Sequence, residues 1–457
     1  MVSVGHAPGV ATPQWSLRSI APARPTRRWS TLPVSTRRAI GGVLFLVAVA
    51  APLLRQTGTA SWHTVFAEDG SIYTAQAVRS GGLAVLFRGY AGYLQLPPRL
   101  LGALTPYVPF RHLTVYLALS STLVVALLAW FVFWATEGWV SSVALRFLLA
   151  ALVVVSPVMG LENTANITNT IWAFLLVAPW ALIATDERTR ATVVRSVVAF
   201  LAATASPLSL LFLPLAVAVA VRRRSRSAWT VLAAFAVGLV IQVLVSWRTP
   251  NVVSSLHGTS RSFAQLRDGL SVRVFGEFLL GPKPLHPLWL HDWRAVVVLA
   301  PLVTLLIFVL AARGARRRSQ LAGMAFFVYA VALFVVPTWG RGTWVLLMHE
   351  GQPLSDSAIR FSVVPLFLLA SALAILLDQR GARARPVARV AGFALIAQMS
   401  VLMLVNFQSV TIDSGQTNWH QEVSHVFVAE CARRPSGQLV TIPSFLPVTV
   451  PCSQLGD

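Results

Sequence analysis

The sequence is poor in charge, in lysine and in cysteine. Only 12% of its 457 residues are charged, against 56% hydrophobic. A soluble domain carries roughly twice that charged share, so composition excludes an ordinary cytosolic enzyme, a disordered chain and a collagen-like one. Mean hydropathy is +0.68, the value of a polytopic membrane protein. Of 37 basic residues only Lys283 is a lysine, a bias that reads as GC-rich codon usage rather than chemistry. The net charge of +21 is therefore a matter of membrane orientation, not of nucleic-acid binding. There is no Walker motif, no zinc-type His/Cys cluster and no dinucleotide-binding glycine fingerprint, so energy-coupled transport and redox chemistry lose their usual markers. No internal repeat of the secondary-transporter kind is visible either. The first apolar run begins only near Ile40, behind a Pro/Arg/Ser-rich stretch, unlike a cleavable signal. Residues 1–36 read as a disordered cytoplasmic tail.

What is present is a series of apolar runs, at about 39–54, 112–135, 143–160, 171–185, 196–221, 227–245, 295–312, 319–336, 361–377 and 390–406, each near the length that crosses a ~30 Å hydrocarbon core. Arginine clusters at Arg37/Arg38, Arg188/Arg190/Arg195, Arg222–Arg226, Arg313–Arg318 and Arg380–Arg389 fix orientation if all face the cytoplasm. Run 196–221 then breaks the parity, because arginines flank both of its ends. Pro207 at its middle disfavours a continuous helix, so the run reads as two short helices meeting there, in and back out. The fold class is thus all-α and polytopic, about eleven membrane segments across 37–406, N-terminus inside and C-terminus outside. That assignment puts 22 basic and 4 acidic residues inside, against 15 and 12 outside. The external loops 55–111, 246–294 and 337–360 and a small external tail, 407–457, hold most of the acids. The chemistry faces outward, at a plasma or inner membrane.

The first external loop carries Glu68-Asp69-Gly70 ahead of a helical stretch. Helix capping by Asp69 explains such a pair without function. The surroundings argue for more: Arg88, the run Tyr90-Ala91-Gly92-Tyr93, and Arg99 place aromatics and cations around the same acids. Carboxylate, aromatic platform and guanidinium together fit a sugar-phosphate substrate.

On these residues the chain resembles the GT-C superfamily of integral-membrane glycosyltransferases, and within it a bacterial group with a Glu-Asp-Gly motif in the first external loop. The architectural likeness covers about residues 38–405. It implies a polyprenyl-phosphate-linked sugar donor, an envelope glycan or lipid acceptor, no nucleic acid, and a loop acid that serves as base or helps hold a divalent metal. Carried over, those positions are Glu68 and Asp69. The chain departs from the pattern in lacking a large soluble C-terminal domain and a recognisable metal motif in the second loop. The competing reading, from another class, is a non-catalytic transporter or flippase of lipid-linked sugars or polysaccharide.

Other constellations fall on the external side. Glu162, Asn163, Asn166 and Asn169 crowd a membrane boundary, where polar groups need partners. They either bind sugar hydroxyls near Glu68/Asp69 or cap the next helix through Asn169 or Thr170. Loop 246–294 reads as an amphipathic helix lying on the outer leaflet. Arg341 and Arg360 stand against the positive-inside preference. They read as clamps on a lipid phosphate or as headgroup snorkels, Arg360 first. Cys431 and Cys452, in a Pro-rich external segment, read as a disulfide closing a small cap with little regular structure.

Overall fold

The computed structural model describes residues 33–159, 165–249, 261–346, 360–378, 385–410, 414–432, 435 and 437–455. The helices are α1 (Val34–Leu53), α2 (Ala75–Ser80), α3 (Leu96–Gly102), α4 (Leu113–Ala135), α5 (Val143–Val155), α6 (Thr170–Ile183), α7 (Thr189–Ala205), α8 (Leu213–Arg223), α9 (Arg226–Arg248), α10 (Phe263–Gly269), α11 (Glu277–Leu280), α12 (Pro282–Arg313), α13 (Arg317–Arg341), α14 (Arg360–Asp378), α15 (Arg385–Val405) and α16 (Trp419–Val426). One antiparallel hairpin, β1 (Leu439–Ile442) with β2 (Val448–Pro451), pairs Val440 with Val450. Among the described residues seven helices, α1, α4, α9 and α12 to α15, are long and apolar enough to cross a membrane. The molecule is a mostly helical membrane protein. α1 starts at Val34, a few residues inside the stretch read as tail; residues 1–32 lie outside the described residues.

Helix boundaries follow local chemistry. α7 stops where Ser206 turns extended ahead of Pro207 and its Oγ accepts the Leu208 N–H, because a residue before proline is pushed out of the α region. α8 ends at Arg224 in the left-handed region, and Ser225 caps α9 through the Ala228 N–H. α12 breaks at Asp292, whose carboxylate accepts the Ala295 N–H and starts the apolar half afresh. α6 and α14 are mostly apolar and buried all round, as expected for helices at the centre of a bundle.

The helix ends sort onto two faces. On one, Trp139 donates to the Ile183 carbonyl, Asp378 accepts from the backbone of Ser141 and Ser142, and Arg318 lies over the Trp139 ring. Arg195, early in α7, donates to the Ala181, Leu182 and Asp186 carbonyls, while Arg223, at the end of α8, donates to Ile183 and Ala184. Both ends of segment 189–223 therefore return to the end of α6, so it is a hairpin of two short helices bent at Pro207. On the opposite face Arg55 is buried and gathers three helix ends, donating to the carbonyls of Ser156, Met159, Asn406 and Phe407 at 2.9–3.1 Å.

Two sequence expectations change. Within loop 246–294 one turn does not lie on the surface: α10 runs into a π-helical turn, Leu270–Gly276, whose Val272, Arg273, Val274 and Phe275 are buried against the helices. The apolar positions of that turn face the bundle, whereas Phe263 at the start of α10 stays exposed, and the Arg273–Glu277 pair is buried with the turn at 2.8 Å. The C-terminal segment is also more regular than its prolines suggested. α16 and the hairpin form a second apolar core with Val65, Tyr73, Phe110 and Ile167, and Cys431 and Cys452 are joined by a disulfide.

Candidate functional site

The Glu-Asp-Gly turn opens a π-helical segment, Asp69–Thr74, a local widening that often marks functional positions. Gly70 is required there by close approach: a Cβ would meet Val65 and Val448 side-chain carbons at 2.5 Å. The C-terminal hairpin thus presses directly on the acidic turn.

Asp69 is buried and does not cap its own helix. Its Oδ2 accepts the Ile167 N–H and its Oδ1 the Thr168 N–H, both at 2.9 Å, and the Thr168 hydroxyl donates to Oδ1 as well. Burial pushes its carboxyl up to about 7, against the pull of these donors. The side chain is a clasp between the first loop and the turn ahead of α6. α5 rises only about 20 Å at 1.5 Å per residue, and the described residues that follow it, 156–159 and 166–168, are buried with Asp69.

Glu68 faces a different set of partners. It hydrogen-bonds the Tyr90 hydroxyl, and its charge reaches Tyr73 and Tyr93. Tyr90 and Tyr93 sit at the two ends of a tight turn, joined by backbone hydrogen bonds of 2.9 and 3.2 Å. Ala91 and Gly92 between them both have positive φ, the geometry of a two-residue hairpin turn. Ala91 accepts this at some strain. Tyr93 receives a hydrogen bond from Arg341 and lies in the field of Arg360 as well. The chain thereby brings Glu68, Tyr90, Tyr93, Arg341 and Arg360 together. Burial and the nearby Glu68 charge push Tyr90 up to about 12, so at neutral pH it stays protonated and donates a hydrogen bond to Glu68.

Arg99 stands on α3, buried, with Nη1 donating to Gln76 at 2.6 Å and its guanidinium 5.1 Å from the centre of the Tyr73 ring. Asn166 caps Asn169 by accepting its N–H at 2.9 Å, and lines a small polar cavity with Asp69, Gln56, Ser61, Thr64 and Thr114. Asn169 lines the adjoining cavity with Ser121 and Thr122. Glu162 and Asn163 lie outside the described residues, as do His349, Glu350 and Asp356. Sequence reasoning missed Gln95, which accepts the Tyr73 hydroxyl and donates to the Tyr90 carbonyl at 3.4 Å. It also missed Arg55 and Thr168. Among the described residues no three His, Cys, Asp or Glu side chains gather as metal ligands. No protein-family model matches the sequence, and a search of curated proteins finds no relative.

Proposed function

We propose that the protein is an inverting glycosyltransferase of GT-C type, with about eleven membrane segments and the loop face outside the cell. It moves a sugar from a polyprenyl-phosphate carrier to an envelope acceptor. One observation carries the reading: an acid of the first loop, Glu68, meets the Tyr90–Tyr93 turn, whose Tyr93 takes a hydrogen bond from Arg341 and feels the charge of Arg360, from helices more than two hundred residues away. A base beside a cation pair is what phosphate-leaving glycosyl transfer requires.

In this reading Glu68 takes the proton of the acceptor hydroxyl, oriented by the Tyr90 hydrogen bond. The acceptor oxygen bonds to the anomeric carbon from one side while the carbon–oxygen bond to phosphate breaks on the other. The leaving phosphate keeps the electron pair and rests on Arg341 and Arg360, which suit phosphate oxygens by charge and planarity. Such a leaving group needs no second carboxylic acid, unlike glycoside hydrolysis. Asp69, with both oxygens engaged by Ile167 and Thr168, holds the turn and leaves the proton transfer to Glu68. The two central helices, α6 and α14, are largely apolar along their buried lengths, with Thr170, Ser362 and Ser371 as buried polar positions and Trp180 donating to Ser371 between them, which favours transfer over passage of a polar substrate between them.

The test is donor turnover. Membranes enriched in the protein and supplied with a polyprenyl-phosphate sugar should release free polyprenyl phosphate when envelope extract is present as acceptor source. Membranes lacking it should not. Equal release from both would contradict the proposal.

A further inference from the structure

Arg99 is a buried cation on which no acid among the described residues acts. Its residue is fully enclosed, yet Nε and Nη2, the side-by-side pair that forks onto an anion, meet no hydrogen-bond acceptor among the described residues. Nη1 is held by a neutral amide, Gln76, and the guanidinium lies over the Tyr73 ring. The charged neighbour acting on it is Arg88, of the same sign. A guanidinium taken out of water without a counter-charge is costly, and an aromatic face recovers only part of that.

Its place relative to the acid is informative. Arg99 acts on Tyr73 and Tyr90, and Tyr90 is the residue hydrogen-bonded to Glu68. Arg341 and Arg360 act on Tyr93, at the other end of the hairpin turn. Two cationic groups therefore flank the tyrosine cluster around Glu68, Arg99 at Tyr73 and Tyr90 and the Arg341–Arg360 pair at Tyr93. If the donor phosphate leaves toward Arg341 and Arg360, inversion places the acceptor on the opposite side of the anomeric carbon, with the base. An anion at Arg99 then belongs to the acceptor.

We propose that Arg99, reinforced by Arg88, is a second anion seat and that the acceptor is a phosphate ester whose phosphoryl group docks there. This rests on Glu68 being the base. Arg99 takes no part in bond change: the acceptor hydroxyl proton goes to Glu68, the new bond forms to the anomeric carbon, and the departing electron pair goes to the donor phosphate. Gln76 and Tyr90, both partly exposed, are the side chains an incoming phosphate must move.

The experiment uses the full chain in nanodiscs with two probes, farnesyl phosphate for the donor side and glycerol 3-phosphate for the acceptor side, read by thermal shift. Both should raise the melting temperature, and their shifts should add. R99Q should weaken glycerol 3-phosphate half-saturation by about tenfold or more, the size expected for a lost charge-assisted pair, while sparing farnesyl phosphate; R341Q should do the reverse. Ligand-free R99Q should melt no lower than the parent, since an uncompensated charge has gone. The proposal is overturned if the two probes compete for one site, if neither glycerol 3-phosphate binding nor its shift responds to R99Q, or if R99Q lowers the ligand-free melting temperature as loss of a packing piece would. A failure of donor turnover with glycerol 3-phosphate binding at Arg99 intact would instead sink the glycosyltransferase reading and leave the seat standing.

Discussion

Asp69 and Thr168 are joined by two hydrogen bonds across 99 positions of sequence, the backbone N–H of Thr168 at 2.9 Å and its hydroxyl both donating to Oδ1. Neighbouring Glu68 turns the other way, to Tyr90. Adjacent acids with such different surroundings have different jobs, and their variants should separate. D69N puts an amide where N–H donors point, so it should lower the melting temperature; E68Q should leave it nearly unchanged, since Tyr90 can still donate to the amide oxygen. Equal thermal loss in both would contradict the division.

The raised Asp69 carboxyl gives a signed pH dependence. Its folded value is about 7 against an ordinary 3.8, so between those values the folded state holds more protons than the unfolded one. This group's contribution to stability is then fully present below about pH 4 and falls as pH rises to about 7, by up to roughly 1.4 kcal/mol per pH unit. Above that it is level. Melting temperatures of wild type and D69N from pH 4 to 8 should show the difference shrinking toward neutrality. A difference that grows with pH would mean that the three donors outweigh burial.

Arg55 should be a stability hotspot without touching the site. Its four carbonyl partners belong to the ends of α5 and α15 and their connections, while α1 itself is barely covered by the rest of the molecule. R55M leaves those carbonyls without a donor, at a cost of about 3 kcal/mol or more. The helix freed should be α1. Hydrogen exchange should therefore rise in 34–53 in R55M more than in α6 or α14.

Much of the bundle was legible in the sequence, because apolar length and arginine placement are local properties. The apolar runs coincide with helices, and the hairpin at Pro207 follows from parity and one proline. Residue type and position also singled out Glu68, Tyr90, Tyr93, Arg341 and Arg360, since acids, aromatics and arginines are conspicuous at a membrane boundary. Partner identity was not legible. Nothing near Asp69 in sequence announces Ile167 and Thr168, and the packing of Val448 on Gly70 is a tertiary fact. The π-helical turn at Leu270–Gly276 was misread because an apolar face at helical spacing fits a lipid surface and a bundle interior equally well.

The disulfide gives a further prediction. It closes a separation of 21 residues, worth roughly 3 kcal/mol in the chain-entropy model, in a segment that presses on Gly70. C431S should lower the melting temperature and reduce transfer, though less than E68Q does. Protein purified without reductant should show no alkylated thiol by mass; two free thiols would contradict both the bridge and an outward tail.

Orientation is tested by single cysteines in a background lacking the native pair. Positions near Arg224 and Arg316 should resist an impermeant thiol reagent in intact cells, and Gly415 should label. External labelling near Arg224 would invert every later segment.

The most direct test of the account is transfer by E68Q beside D69N, each normalised to folded protein. E68Q should lose about 10²–10⁴-fold of the transfer rate, as removal of a general base does, with donor binding intact. D69N should lose activity only in proportion to its loss of folded protein. Near-normal transfer by E68Q would contradict the assignment of Glu68 as the base.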